Sequence, residues 1–178
     1  MGIKRRIVPG LLLLAVAAAL FAAGSHAATQ ARAARLSSLE TGVLADINAF
    51  RASHGLARLR LNAQLSSAAR AHSQQMAADG YFAHNSADGA AFWKRIQAFY
   101  ASSPWHYWSV GENLLWSSPD VSAGQAMQMW LASPEHRANL MNPRWREIGI
   151  SAVHATSAPG IYHGLPITIV TTDFGVRH

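Results

Sequence analysis

Glu147-Ile148-Gly149-Ile150-Ser151-Ala152-Val153-His154 and Leu165-Pro166-Ile167-Thr168-Ile169-Val170-Thr171-Thr172-Asp173-Phe174 decide the fold class. Both stretches are rich in Ile, Val and Thr, whose branched side chains suit a pleated surface, and Ala158-Pro159-Gly160 between them is a turn signal. Upstream the apolar period changes to that of helices. Helices first and strands last, with no βαβ alternation, predict an α+β domain with an antiparallel sheet.

Working outward from the strands, Ser133-Pro134 predicts a short helix through Leu140, because Ser caps a helix start and Pro is tolerated in its first turn. Ser118-Pro119 carries the same signal for a helix holding Val121, Ala126, Met127 and Trp130. Gly111-Glu112-Asn113 runs into the apolar Leu114-Leu115-Trp116, after an aromatic loop from Ser102 to Ser109. Asp88 is placed to cap a helix through Phe92, Trp93, Ile96 and Phe99, and Tyr81 to Gly89 reads as a loop. Before it, Asn62 caps a helix with the apolar face Leu65, Ala68, Ala69, His72 and Met76, ending at Gly80. A first helix from Ser38 to His54 starts on a Ser37–Glu40 capping box, presents Leu39, Val43, Ile47 and Phe50, and stops at Gly55.

The N-terminus has the grammar of a secretory signal peptide over residues 1–27. Lys4, Arg5 and Arg6 precede an apolar run from Leu11 to Phe21, and Ser25-His26-Ala27 is an A-x-A-like cleavage site. A membrane anchor would need roughly 20 apolar residues, and Gly24 and Ser25 interrupt the run. The expected mature chain is therefore secreted or periplasmic and not transmembrane, with a flexible lead-in at 28–37 and a single domain at 38–178. There is no cysteine, which excludes a lipid-anchored lipoprotein and a disulfide framework. Three of the fifteen Lys and Arg lie in the signal, so the net charge of +6 falls to +3 behind it. With no basic run or stripe left, nucleic acid is not an expected partner.

Three polar spots could carry chemistry: His84 in Phe82-Ala83-His84-Asn85-Ser86, Glu112 in Gly111-Glu112-Asn113, and His136 in the first turn after Ser133-Pro134. Two imidazoles and a carboxylate can do acid/base work or hold a divalent ion. Each also has a plainer reading. A loop His often bonds a turn, a lone Glu can bond a loop backbone, and His136 near a helix N-terminus favours its neutral form, as ligand or as buried hydrogen-bonding group. His72 reads as a core histidine, and Glu135-His136 is no dyad, since helical neighbours do not face each other. H-E-x-x-H, G-x-S-x-G and a cysteine nucleophile are all absent.

In order, the chain carries Ile47-Asn48-x-x-Arg51-x-x-x-Gly55-Leu56, Ala71-His72-Ser73-x-x-Met76-Ala77, Phe82-x-His84 and Gly111-Glu112-Asn113. Trp130-x-x-Ser133-Pro134-x-His136-Arg137-x-Asn139-Leu140, Glu147-Ile148-Gly149-Ile150 and Asp173-Phe174-Gly175 follow. This series resembles the CAP domain, the cysteine-rich secretory, antigen 5 and pathogenesis-related (SCP-like) family in its bacterial form. The resemblance implies a three-layer α-β-α sandwich with a central antiparallel sheet and a cavity formed by His84, Glu112 and His136. Asn113, Ser133 and Asn139 belong to the same motifs as supporting residues. Many animal and plant members take a second histidine from a G-H-Y-T-Q strand; Ile169-Val170-Thr171-Thr172 stands there instead. A second cavity glutamate has no counterpart, Asp88 being the nearest acid, so a three-residue site is expected.

Fold does not fix function, and three readings follow. The favoured one is a binding module for a lipid, a glycan or an envelope protein, with Trp105, Tyr107 and Trp108 as an aromatic binding loop. An enzyme reading makes the site a divalent-metal hydrolase, with zinc on His84 and His136 and Glu112 as general base. A third makes the polar cluster a stabilising network alone. Oligomeric state is left open.

Overall fold

The computed structural model describes residues 36–178, so the expected signal peptide and most of the lead-in lie outside the described residues. The first helix, α1 (Ser38–Ser53), starts on the expected capping box: Glu40 N–H donates to Ser37 Oγ and Ser37 N–H to Glu40 Oε2. Val43 and Ile47 of α1 are buried. Asn48 clamps the following link by bonding the N–H and the carbonyl of Leu59. Buried Arg51 donates to the carbonyls of Ala57, Leu140 and Asn142. These bonds explain why an Asn and an Arg stand on an inward face.

Strand β1 (Arg60–Leu61) leads into α2 (Ala63–Asp79), where Asn62 Oδ1 accepts from the N–H groups of Gln64 and Leu65. All five residues of the expected apolar face are buried, His72 included. The helix ends at Gly80, whose φ of 73° suits glycine and lets the chain turn tightly against Pro159 and Gly160.

Helix α3 (Phe92–Phe99) lacks a side-chain cap. Asp88 instead accepts from Ala90 N–H in a local turn, so it does not cap the helix. Trp93 of this helix is 41% exposed. Phe92 and Ile96 supply the inner stripe of this short helix, and Trp93 falls about 100° round from Phe92.

Strand β2 (Trp108–Ser117) takes in the whole Gly111-Glu112-Asn113 motif. Helix α4 (Ala123–Ala132) starts four residues later than Ser118-Pro119 predicts, because Ser122 and Gln125 form a reciprocal capping box there. Val121 is buried, but ahead of the helix. Helix α5 (Pro134–Met141) begins as expected on Ser133, whose Oγ accepts from His136 N–H. Strands β3 (Glu147–Ala155) and β4 (Ile167–Arg177) close the chain, with a 3-10 turn at Gly160–Tyr162 between them.

The sheet order is β1-β3-β4-β2. β3 and β2 flank β4 antiparallel, as expected; the two-residue β1 pairs with β3 in parallel, so the sheet is mixed at that edge. Side chains alternate between two helical layers. Val170, Phe174, Ile148, Ile150 and Leu115 pack with Val43, Ile47 and Trp130 of α1 and α4. On the other face Ile169 and Leu114 pack with Met76, and Leu65 of α2 with Ile96 of α3. A Cβ at Gly149 would stand 2.0 Å from the Leu65 carbonyl carbon, so α2 rests directly on the backbone of β3. The α-β-α sandwich follows from these two buried faces.

Candidate functional site

The site is built around β2, at the sheet's edge. Glu112 is buried on the α2/α3 face, and its two oxygens are both engaged. His84 Nδ1–H donates to Oε1 at 2.9 Å, and Arg95 Nη2 of α3 donates to Oε2. Arg95 Nη1 also donates to the His84 carbonyl at 3.1 Å, which ties the histidine loop to the helix. The His84 side chain is 50% exposed and is oriented by a buried carboxylate.

Asp173 is paired in register with Glu112 across β4 and β2, so the two carboxyls share a face. It is fully buried, and neither of its oxygens has a hydrogen-bond partner. Burial first, and the facing Glu112 carboxylate second, raise it well above the usual carboxylate range. Beneath the loop, His72 Nε2–H donates to the Ala83 carbonyl at 2.8 Å, and burial pushes that imidazole down to about 4.

On the opposite face, α5 is strapped to β2. Asn113 Nδ2 donates to the His136 carbonyl, and Asn139 Nδ2 donates to Asn113 Oδ1 and to the Glu112 carbonyl. Trp130 Nε1 donates to the Leu114 carbonyl. Glu112 and Leu114 share one parity along the strand, so these bonds cover carbonyls that an edge strand would leave open. Asn113 and Ser133 thus hold the His136 backbone, and Asn139 braces Asn113. Burial, and then the nearby His84, lower the His136 imidazole from its ordinary value. The histidine lines a cleft of about 280 Å³ whose other walls include Phe82, Leu114, Trp116, Met129 and Trp130.

A model of the cysteine-rich secretory protein (CAP) family matches residues 44–172. The chain belongs to that family. YkwD of Bacillus subtilis (strain 168) is 31% identical over 122 residues, 68% of this chain and 45% of that protein. YlbC of the same organism is 29% identical over 111 residues, 62% of this chain and 30% of its own length. The chain thus spans less than half of either relative. An extracellular protein containing an SCP domain from Bacillus anthracis is similar in structure at 26% identity and a TM-score of 0.55, over 79% of this chain and 44% of that one. An outer surface protein from Borrelia burgdorferi shares the fold at 20% identity and a TM-score of 0.59, over 76% of this chain and 90% of that one.

In this CAP domain His84 bonds Glu112 on the α2/α3 face, while the helix that carries His136 is strapped to the other face of β2, with the His136 imidazole near enough to His84 for its charge to act on it. Asp88 lies outside the cluster, on the surface. Sequence reasoning missed Arg95 and Asp173. A cation three residues after Phe92 on a short amphipathic helix, and a lone acid in an Ile/Val/Thr strand, were the available signals. The aromatic loop is also divided. Trp108 belongs to β2 and donates from Nε1 to the Tyr100 carbonyl, while Trp105 and Tyr107 stay 44% and 36% exposed. Tyr107 lines a different groove from the cleft that His136 lines.

The same geometry bears on a divalent ion. Glu112 is committed to His84 and Arg95, and among the described residues no three His, Cys, Asp or Glu side chains converge as ligands. His84 and His136 alone fall short of the three protein ligands a catalytic zinc site uses. The residues present do not fit that centre.

Proposed function

We propose that this CAP domain is a binding module of the bacterial envelope or its surroundings, holding an apolar chain with a polar end in the cleft beside β2. The observation that carries this reading is the cleft's lining. Phe82, Leu114, Trp116, Met129 and Trp130 offer an apolar wall, while Ser133 and His136 supply a few convergent polar groups. A lowered His136 is neutral at physiological pH and can donate to or accept from a headgroup without the cost of a buried charge. Export is supported by the signal grammar of residues 1–27 and by relatives named as outer surface and extracellular proteins. Among the described residues no helix is long and apolar enough to cross a membrane. Hydrolysis has less support, because the carboxylate meant as general base is neutralised by Arg95.

The test is a tryptophan-fluorescence titration with palmitate, since Trp116 and Trp130 line the cleft. Saturable quenching is expected, and Met129→Arg should abolish it while leaving the fold intact, because Met129 is 43% exposed. Quenching that does not saturate, or that survives the substitution, would sink the lipid reading and return glycans and envelope proteins to the front. Zinc added alone should leave the melting temperature unchanged. A rise that vanishes in His84→Ala would instead establish the metal reading, because a ligand of the native state must stabilise it.

A further inference from the structure

The basic residues that look dispersed along the chain converge at one end of the sheet. Arg60 opens β1, Arg144 and Arg146 lie between α5 and β3, and Arg177 ends β4. With Tyr107 and Glu147 they line an open groove of about 600 Å³. Glu147, the one carboxylate side chain in that lining, is already occupied. Its Oε2 accepts from Tyr100 OH at 2.6 Å and its Oε1 from Asn62 Nδ2 at 3.1 Å, with Arg60 at 3.7 Å.

The other three cations have no such partner: among the described residues none of Arg144, Arg146 and Arg177 lies within 4.0 Å of a carboxylate. Two of them are nonetheless held in place. Arg146 Nη1 donates to the carbonyls of Pro143, Arg144 and Trp145. Arg177 lies 3.9 Å over the Tyr100 ring and donates to Ala101 and Gln64. Arg51, buried close enough for the Arg146 charge to act on it, is likewise bound only to carbonyls. Cations crowded together repel unless an anion lies among them, and a concave wall focuses their field. Guanidiniums match the oxygens of phosphate in pairs. The Tyr107 ring, stacked on His178 at a centroid distance of 5.0 Å and still 36% exposed, adds a flat amphipathic face at the groove's wall.

We propose that this groove is a second binding site, separate from the cleft beside β2, for a compact phosphate-bearing ligand such as a phosphorylated sugar or a diphosphate. The arginines take the phosphate oxygens, and Tyr107 lies against the ring of the group that carries them. A small ligand is favoured over a membrane face because the charges line a concavity rather than a plane.

Calorimetric titration of the protein with inorganic pyrophosphate is the test, at 0.15 M salt to screen loose ion pairing. Saturable one-to-one binding is expected. Arg60→Gln with Arg144→Gln should weaken it about tenfold or more, as losing two charge-assisted contacts implies. These two side chains are surface groups, so the melting temperature of the double variant should stay unchanged. His84→Ala and Met129→Arg should leave pyrophosphate affinity as it is, which separates this site from the cleft. Absence of saturable binding, or equal affinity in the double variant, would overturn the proposal. So would pelleting with phosphatidylglycerol vesicles that pyrophosphate does not compete away, which would assign the arginines to a lipid surface.

Discussion

At the scale of the residue, Glu112 is the group on which the site turns. Its side chain is 1% exposed and that of Arg95 is 8% exposed, so both charges are out of water. Removing one partner of such a pair leaves the other uncompensated, at a cost of about 3–5 kcal/mol. Arg95→Ala should therefore destabilise strongly, and Arg95→Ala with Glu112→Ala should cost less than the sum of the two single changes. Urea denaturation of the three variants and the parent closes the cycle; simple additivity would mean the pair is not coupled. The sequence made Glu112 a candidate through its motif. What it acts on was hidden, because His84, Arg95 and Asp173 are brought to it from a loop, a helix and a neighbouring strand.

At the scale of the element, the fold depends on how closely α2 lies on the sheet. Gly149 and Gly175 are the strand positions beneath Leu65, and at Gly149 even a methyl group would overlap the helix backbone. Gly149→Ala should lower the melting temperature by several degrees, as overpacking typically costs about 1–3 kcal/mol or more. An unchanged melting curve would show that α2 shifts without penalty. Helix limits were legible where capping chemistry is local, as at Ser37, Asn62 and Ser133. They were misread at Asp88 and Ser118, where the same residue types serve turns and Ser122 offers a better cap. The parallel pairing of β1 was not legible, since two residues carry no periodicity.

At the scale of the whole molecule, two buried titratable groups set opposing pH dependences. His72 titrates near 4 in the folded state against about 6.5 in the unfolded chain, so between those values the unfolded chain binds more protons. Stability should rise with pH across that window, and on acidification it should be lost by at most about 3 kcal/mol from this group. Asp173 acts in the other sense. Its folded value is raised, so the folded state holds the extra proton and stability falls as pH climbs from the usual carboxylate range through that value. Urea midpoints measured from pH 4 to 8 should rise and then level or decline. His72→Gln should flatten the acid limb and Asp173→Asn the alkaline one; an unaltered acid limb in the histidine variant would refute the assignment.

By itself the sequence determined the helices, the last two strands, the family, and His84, Glu112 and His136 as candidate polar residues. Those are consequences of local chemistry: periodicity, caps, and motifs read along the chain. Tertiary structure alone decided which groups meet. It brought His84 and His136 to one edge strand from a loop and a helix, gave Glu112 an arginine, set a buried acid beside it, and gathered four dispersed arginines at one end of the sheet. Pairing across the sheet and packing between layers join residues far apart in the chain, and no local pattern encodes their distance.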